Sequence, residues 1–285
     1  MKRFIVGVTS LAITGLALAA GPGAVRKQVE ASMLLTGTIV VAPDGSVKSY
    51  ELDKAEKIPA NITALVSNAT QQWHFDPVMR DGQAVTAKAR MSLRVVAKHE
   101  TPDSSDYTAR ISGATFGDYD AASTDQITYL ERNPPAYPQV AARGHVGGTV
   151  YVLLRIGRDG KVVDAEAEQV NLNIVSSDAD MKAWRKVLAS PSVTAARHWT
   201  FHIPTTGLHA NDPYYVTRVP IVYRTERTSP DAEYATWQAY VPGPKDRVSW
   251  ADDDRAAGGG TDALPDGQIQ LVGTGLKLTT PVSKG

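Results

Sequence analysis

From Val85 to Val95 the chain alternates without a break. Val85, Ala87, Ala89, Met91, Leu93 and Val95 are apolar, and Thr86, Lys88, Arg90, Ser92 and Arg94 are polar. A period of two sends each set to its own face, which predicts a half-buried strand. Upstream the period changes. Ile62, Leu65, Val66, Ala69 and Trp73 recur at helical spacing after Pro59, which predicts an amphipathic helix closed by WHFDP, Trp73 to Pro77. Before it, Thr38 to Ala42 and Val47 to Leu52 are β-rich runs on either side of Pro43-Asp44-Gly45, a hairpin signal.

The same order then returns. Val150, Val152, Leu154 and Ile156 share one predicted strand face, Arg158-Asp159-Gly160 is the turn, and Val163, Ala165 and Ala167 line the core side of the return strand. Asp178 is placed to cap a helix carrying Met181, Trp184, Val187 and Leu188, which Ser190-Pro191 should stop while opening a second short helix as N-cap and N1. HWTFHIP, His198 to Pro204, parallels WHFDP, and Tyr214 to Arg224 reads as a closing strand. Strand, Asp-Gly hairpin, strand, helix, Trp-x-Phe, strand thus occurs twice. The predicted class is α+β, with two small modules that each pack a short antiparallel sheet with a helix.

The expected organisation is a leader at 1–19, a first module at 35–97, a linker at 98–129, a second module at 130–225 and a C-terminal extension at 226–285. The linker is rich in Asp, Ser, Thr and Gly, with a short strand at Ala109 to Phe116. In the extension, Ser229-Pro230 should open a helix through Tyr240. Asp252 to Asp266, with Gly258-Gly259-Gly260, should be mobile, and Gln268 to Leu278 is a last strand or hairpin.

The leader adds a compartment. Lys2 and Arg3 precede an apolar run from Phe4 to Leu16, and Ala17-Leu18-Ala19 is a small-x-small cleavage pattern. This predicts a signal peptide cleaved after Ala19 and export to the periplasm. The alternative is an uncleaved inner-membrane anchor facing the periplasm, although a run of about 17 residues is at the short limit for a spanning helix.

Composition narrows the chemistry. The 285 residues hold 30 Lys+Arg and 30 Asp+Glu, a balance that offers no basic excess for nucleic acid. The absence of Cys removes disulfides, thiolate metal sites and Cys nucleophiles. No nucleophile elbow, phosphate loop or dinucleotide fingerprint occurs, so neither an enzyme nor a small-molecule cofactor is expected. His198 and His202 lie in a segment with Trp199, Phe201 and Ile203 that reads as extended, which separates them too far for a shared metal. Asp164, Glu166 and Glu168 share a strand face that reads as solvated. Trp73, Phe75, Trp199 and Phe201 read as core aromatics.

PPAYPQVAARG (Pro134 to Gly144), then GGTVYVLLRIGRDGKVV (Gly147 to Val163), then HWTF, resembles the C-terminal domain of TonB proteins. That family opens with Tyr-Pro, a short helix with Ala three residues on, and Gly before the first strand; the matching residues are Tyr137, Pro138, Ala141 and Gly144. The resemblance covers about residues 130–224, and residues 35–97 look like a degenerate copy without the Tyr-Pro opening. It implies a protein-binding role in the envelope, with a TonB-dependent outer-membrane transporter or another envelope protein as partner. Residues 4–20 hold no His and the chain has no long Pro-rich spacer, the two features that accompany force transmission in TonB proper.

Small sheet modules bind extended segments by strand addition at an open edge. Pro220 lies inside the closing-strand pattern, and proline is tolerated chiefly on edge strands because it has no N–H for a ladder. An extended partner is therefore expected along Tyr214 to Val219, with Tyr215, Thr217 and Val219 on one face, and Tyr137 and Pro138 are the further candidate contacts. A structural envelope module is the rival reading: Gln268 to Leu278 could occupy the same edge from within.

Overall fold

The computed structural model describes residues 21–100, 106–117, 124–226, 230–251 and 263–283. The expected leader and most of the expected loop at 252–266 lie outside those residues. The chain starts with α1 (Pro22–Arg26) and β1 (Glu30–Val41), turns at Gly45 into β2 (Val47–Leu52), and continues through a 3-10 turn at Ala55–Lys57 into α2 (Ala60–Thr70). A small hairpin of β3 (Val78–Arg80) and β4 (Gln83–Val85) precedes β5 (Ala87–His99) and β6 (Tyr107–Phe116). Next come β7 (Thr128–Glu131), α3 (Gln139–Arg143), β8 (Gly148–Ile156), β9 (Val162–Leu172), α4 (Asp178–Ala196), β10 (Thr200–His202) and β11 (Tyr215–Tyr223). The extension holds α5 (Pro230–Glu233), β12 (Gln238–Tyr240) and β13 (Gln270–Leu271).

The class is α+β, with four antiparallel sheets among the described residues. Two are large. One runs β2-β1-β5-β6, with β12 beside the first three residues of β1; the other runs β9-β8-β11-β13. Each covers its own apolar core. Leu35, Ile39, Ile62, Val66, Trp73, Phe75, Met91 and Leu93 fill the first, and Val150, Val152, Leu154, Met181, Leu188, Trp199 and Phe201 the second. In β5 the residues assigned to the inner face, Ala89, Met91, Leu93 and Val95, are buried.

The same joint recurs in each of the two units. Phe75 donates its N–H to the Gly45 carbonyl at 2.8 Å, and Phe201 donates to the Gly160 carbonyl at 2.8 Å. Each Trp-x-Phe segment is thereby laced to the tip of its own hairpin. In both tips the Asp accepts from the N–H two residues on, Asp44 from Ser46 and Asp159 from Lys161.

Several expectations need correction. The short strand expected at Ala109 to Phe116 is present and longer than expected, as β6, which pairs with β5 along nine positions and buries Ile111, Ala114 and Phe116; its polar residues lie on the other face or at the ends. The helix expected to stop at Pro191 runs through it to Ala196. Proline removes an intrahelical donor and crowds the carbonyl four residues back. Here the face of Leu188, Ser192 and Ala196 is fully buried, and the Ser192 hydroxyl bonds back to the Leu188 carbonyl at 2.8 Å, so packing outweighs that loss. The N-cap of this helix is Ser177, whose side chain accepts from the Asp180 N–H, and Asp178 lies inside the first turn. The helix expected to Tyr240 ends at Glu233, because Gln238–Tyr240 pairs with β1 instead.

The extension visits the two sheets in turn. Tyr234 donates its hydroxyl to the Asp53 carbonyl at 2.6 Å, and β12 then pairs with β1. Val241 exchanges backbone hydrogen bonds with Leu172 on β9. After β13, Leu276 bonds to Phe116, Thr279 to His74, and the Trp73 indole donates to the Val282 carbonyl at 3.0 Å. No helix among the described residues is long and apolar enough to cross a membrane.

Candidate interaction edge on the second sheet

β11 has two sides, and hydrogen bonds identify them. Its outer side is marked by Val216, whose carbonyl accepts from the Val272 N–H, and by Pro220, whose carbonyl accepts from the Gly267 N–H, both at 2.8 Å. The Val222 N–H donates outward to the Asp266 carboxylate at 3.0 Å. Backbone groups alternate along an antiparallel strand. Even-numbered residues therefore turn outward, and Tyr215, Thr217 and Val219 turn toward β8, opposite Ile156, Leu154 and Val152. Pro220 sits on the outer side, where its missing N–H costs no bond to β8.

The open edge expected for β11 is thus corrected. The chain's own residues 266–272 lie along it, with β13 paired at Thr217 and Arg218. The side chains expected to meet a partner point into the core: Tyr215, Thr217 and Val219 each have no exposed surface. Tyr215 donates its hydroxyl to the His209 carbonyl at 3.1 Å, while the Thr217 hydroxyl is buried without a hydrogen-bond partner.

The opposite face of this sheet is also covered. Leu153 and Val216 pack with Val248, Ala251 and Val272 from the extension. Under that cover Arg218 holds Glu168 in a two-pronged ion pair, Nε to Oε2 at 2.8 Å and Nη2 to Oε1 at 3.0 Å, with both side chains almost fully buried. Lys245 approaches the same carboxylate at 3.2 Å from a half-exposed position. Glu168 falls at a bulge, since Tyr151 pairs with Gln169 and Val152 with Ala167. The row expected to be solvated is therefore engaged at each member: Asp164 with Arg155, Glu166 with the Trp250 indole, and Glu168 with Arg218. Spacing within β9 carries no signal for these partners, because they come from β8, β11 and the extension.

Tyr137 and Pro138 lie elsewhere. Pro138 is the N-cap of α3, and Tyr137 donates its hydroxyl to the Val146 carbonyl at 3.0 Å while its ring meets Tyr223 at 5.5 Å. They close the far end of β11 and share a groove with Pro191, Thr194 and His198 of the α4 end, apart from Tyr215. Burial pushes the phenol pKa of Tyr137, Tyr215 and Tyr223 upward. Trp199 and Phe201 are core side chains, and His202 lies in β10. Among the described residues no three His, Asp or Glu side chains gather as metal ligands would. No family model, curated protein or solved structure matches the chain.

Proposed function

We propose that this is an exported, protein-binding protein of the cell envelope. It is built from two TonB-C-like modules and pairs by β-strand addition at β11 with an outer-membrane transporter or another envelope protein, in transmembrane transport. One contrast carries the reading. The closing strand of the first sheet, β5, is sealed along nine positions by β6, whereas the equivalent strand β11 is laddered by β13 at only two. Strand exchange is easiest where few bonds must be replaced, and main-chain pairing supplies most of the affinity in this mode. The partner would take the place of residues 266–272. Residues 1–19 would direct export and be removed after Ala19; N-terminal sequencing of the mature protein separates this from a retained inner-membrane anchor.

A second reading is a structural envelope module with no energy transduction, favoured by the covers that the extension lays on β1, β9 and β11. Val272→Pro distinguishes the two, because it deletes the N–H donated to Val216 and loosens the cover. In the strand-addition reading this variant binds a synthetic Leu264–Val272 peptide that the parent chain does not bind. If neither chain binds the peptide and Val272→Pro merely lowers stability, the structural reading stands.

A further inference from the structure

The first sheet ends on β6, and no described strand pairs with the outer side of β6. We infer that this edge is a docking site for an acidic extended segment of a partner protein, added as a sixth strand. The inference does not depend on β11 taking a partner.

The geometry begins with the ladder. The Gly117 N–H donates to the Arg90 carbonyl at 3.0 Å, so the even-numbered residues of β5 turn their backbone groups toward β6. Their opposite numbers include Arg110, facing Val96, and Thr108, facing Lys98. Ala109, between them, turns its backbone outward. Phe116 also turns outward, and there the edge is already used: its carbonyl accepts from the Leu276 N–H at 3.0 Å. The extension thus caps one end of the edge, and among the described residues no strand pairs with the stretch around Ala109. No proline interrupts β6, and one bulge near Ser112 bends it. Between Tyr107 and Ile111 the edge has neither proline nor bulge, and such an edge is a template for another chain.

Charge selects the occupant. β5 and β6 together carry Lys88, Arg90, Arg94, Lys98 and Arg110, and no Asp or Glu. Asp53 pairs with Arg90 and Glu30 approaches Lys98 at 3.9 Å, while Glu100 accepts from Thr108 at the hairpin end. Arg110 is exposed at the edge itself. An incoming strand would set one face of its side chains beside Arg110, where carboxylates are favoured, and the other beside Ile111 and half-exposed Tyr107, where apolar residues extend the core. A second copy of this chain fits less well, because antiparallel pairing about Ala109 sets the two Arg110 side chains on one face, diagonally across the ladder.

The test uses the full chain and a fluorescent peptide of about ten residues alternating Val with Asp, matched to a typical strand; a Val-Lys peptide is the control. The acidic peptide should bind and the basic one should not. Arg110→Glu should weaken acidic-peptide binding about tenfold, as reversal of a cross-strand charge pair does. Ala109→Pro, which removes an outward N–H and no bond to β5, should abolish binding with an unchanged unfolding midpoint. If that variant unfolds, Arg110→Glu decides alone. Equal binding of both peptides overturns the proposal, as does binding unaffected by Arg110→Glu. A concentration-dependent dimer lost in Ala109→Pro would reassign the edge to self-pairing. Val272→Pro should leave acidic-peptide affinity unchanged; an increase would place the peptide at β11 instead and sink the proposal while leaving the β11 reading intact.

Discussion

Phe201 donates its backbone N–H to the carbonyl of Gly160 across 40 intervening residues, and Phe75 donates to Gly45 in the first sheet across 29. Both glycines have positive φ, 73° and 87°. That conformation is open to glycine and strained for side-chain-bearing residues. A Cβ at either position would also run into the carbonyl of the paired Phe.

Gly160→Ala should therefore destabilise the second sheet by about 1–3 kcal/mol. Denaturant unfolding followed by Trp fluorescence measures it. Gly45→Ala should cost a similar amount through the first sheet, and a neutral result at both sites would show that this joint contributes nothing.

Thr217→Val should raise stability by about 1 kcal/mol. The Thr217 hydroxyl is fully buried without a partner, and replacing an unsatisfied polar group by an apolar one of the same shape removes its desolvation cost. A shift of the urea midpoint to lower concentration would contradict this.

Glu168→Gln should cost about 3–5 kcal/mol, because it leaves the Arg218 charge buried and uncompensated. The double replacement Glu168→Leu with Arg218→Met should recover most of that loss, since removing both charges removes both desolvation penalties. A double-mutant cycle in urea reads the coupling, and additive losses would argue against a coupled pair.

Stability should fall on the alkaline side. Burial raises the phenol pKa of Tyr137, Tyr215, Tyr223 and Tyr234 in the folded chain. A raised pKa means the folded state keeps its proton longer than the unfolded state. This contribution is whole below the unfolded value of about 10 and is lost as pH rises through the folded values. Tyr223→Phe should flatten that limb at the expense of the 2.8 Å bond to Ser192. Urea midpoints between neutral and alkaline pH, read beside tyrosinate absorbance, test it.

Much of the local structure was legible because it depends on neighbours in the chain. Period-two alternation located β5, the Asp-Gly pairs located both hairpin tips, and the helical spacing of Ile62, Val66 and their neighbours located α2. Proline at 220 misled as the mark of an open edge: β11 lies between β8 and β13, and the proline is accommodated because its nitrogen faces away from β8. The same reading failed at Pro191, where burial of Leu188, Ser192 and Ala196 holds a helix that local preference would end.

What the sequence alone determined were the elements with a period or a turn of their own: two strand-hairpin-strand-helix units, each closed by a Trp-x-Phe segment. Tertiary structure alone decided which edges remain available. β12 and β13 are three and two residues long, too short to announce themselves, and they exist as strands because β1 and β11 offer them ladder partners. The same holds for Glu168: its meaning depends on Arg218, fifty positions away, and only the stacking of β9, β8 and β11 beneath the extension brings the two charges together.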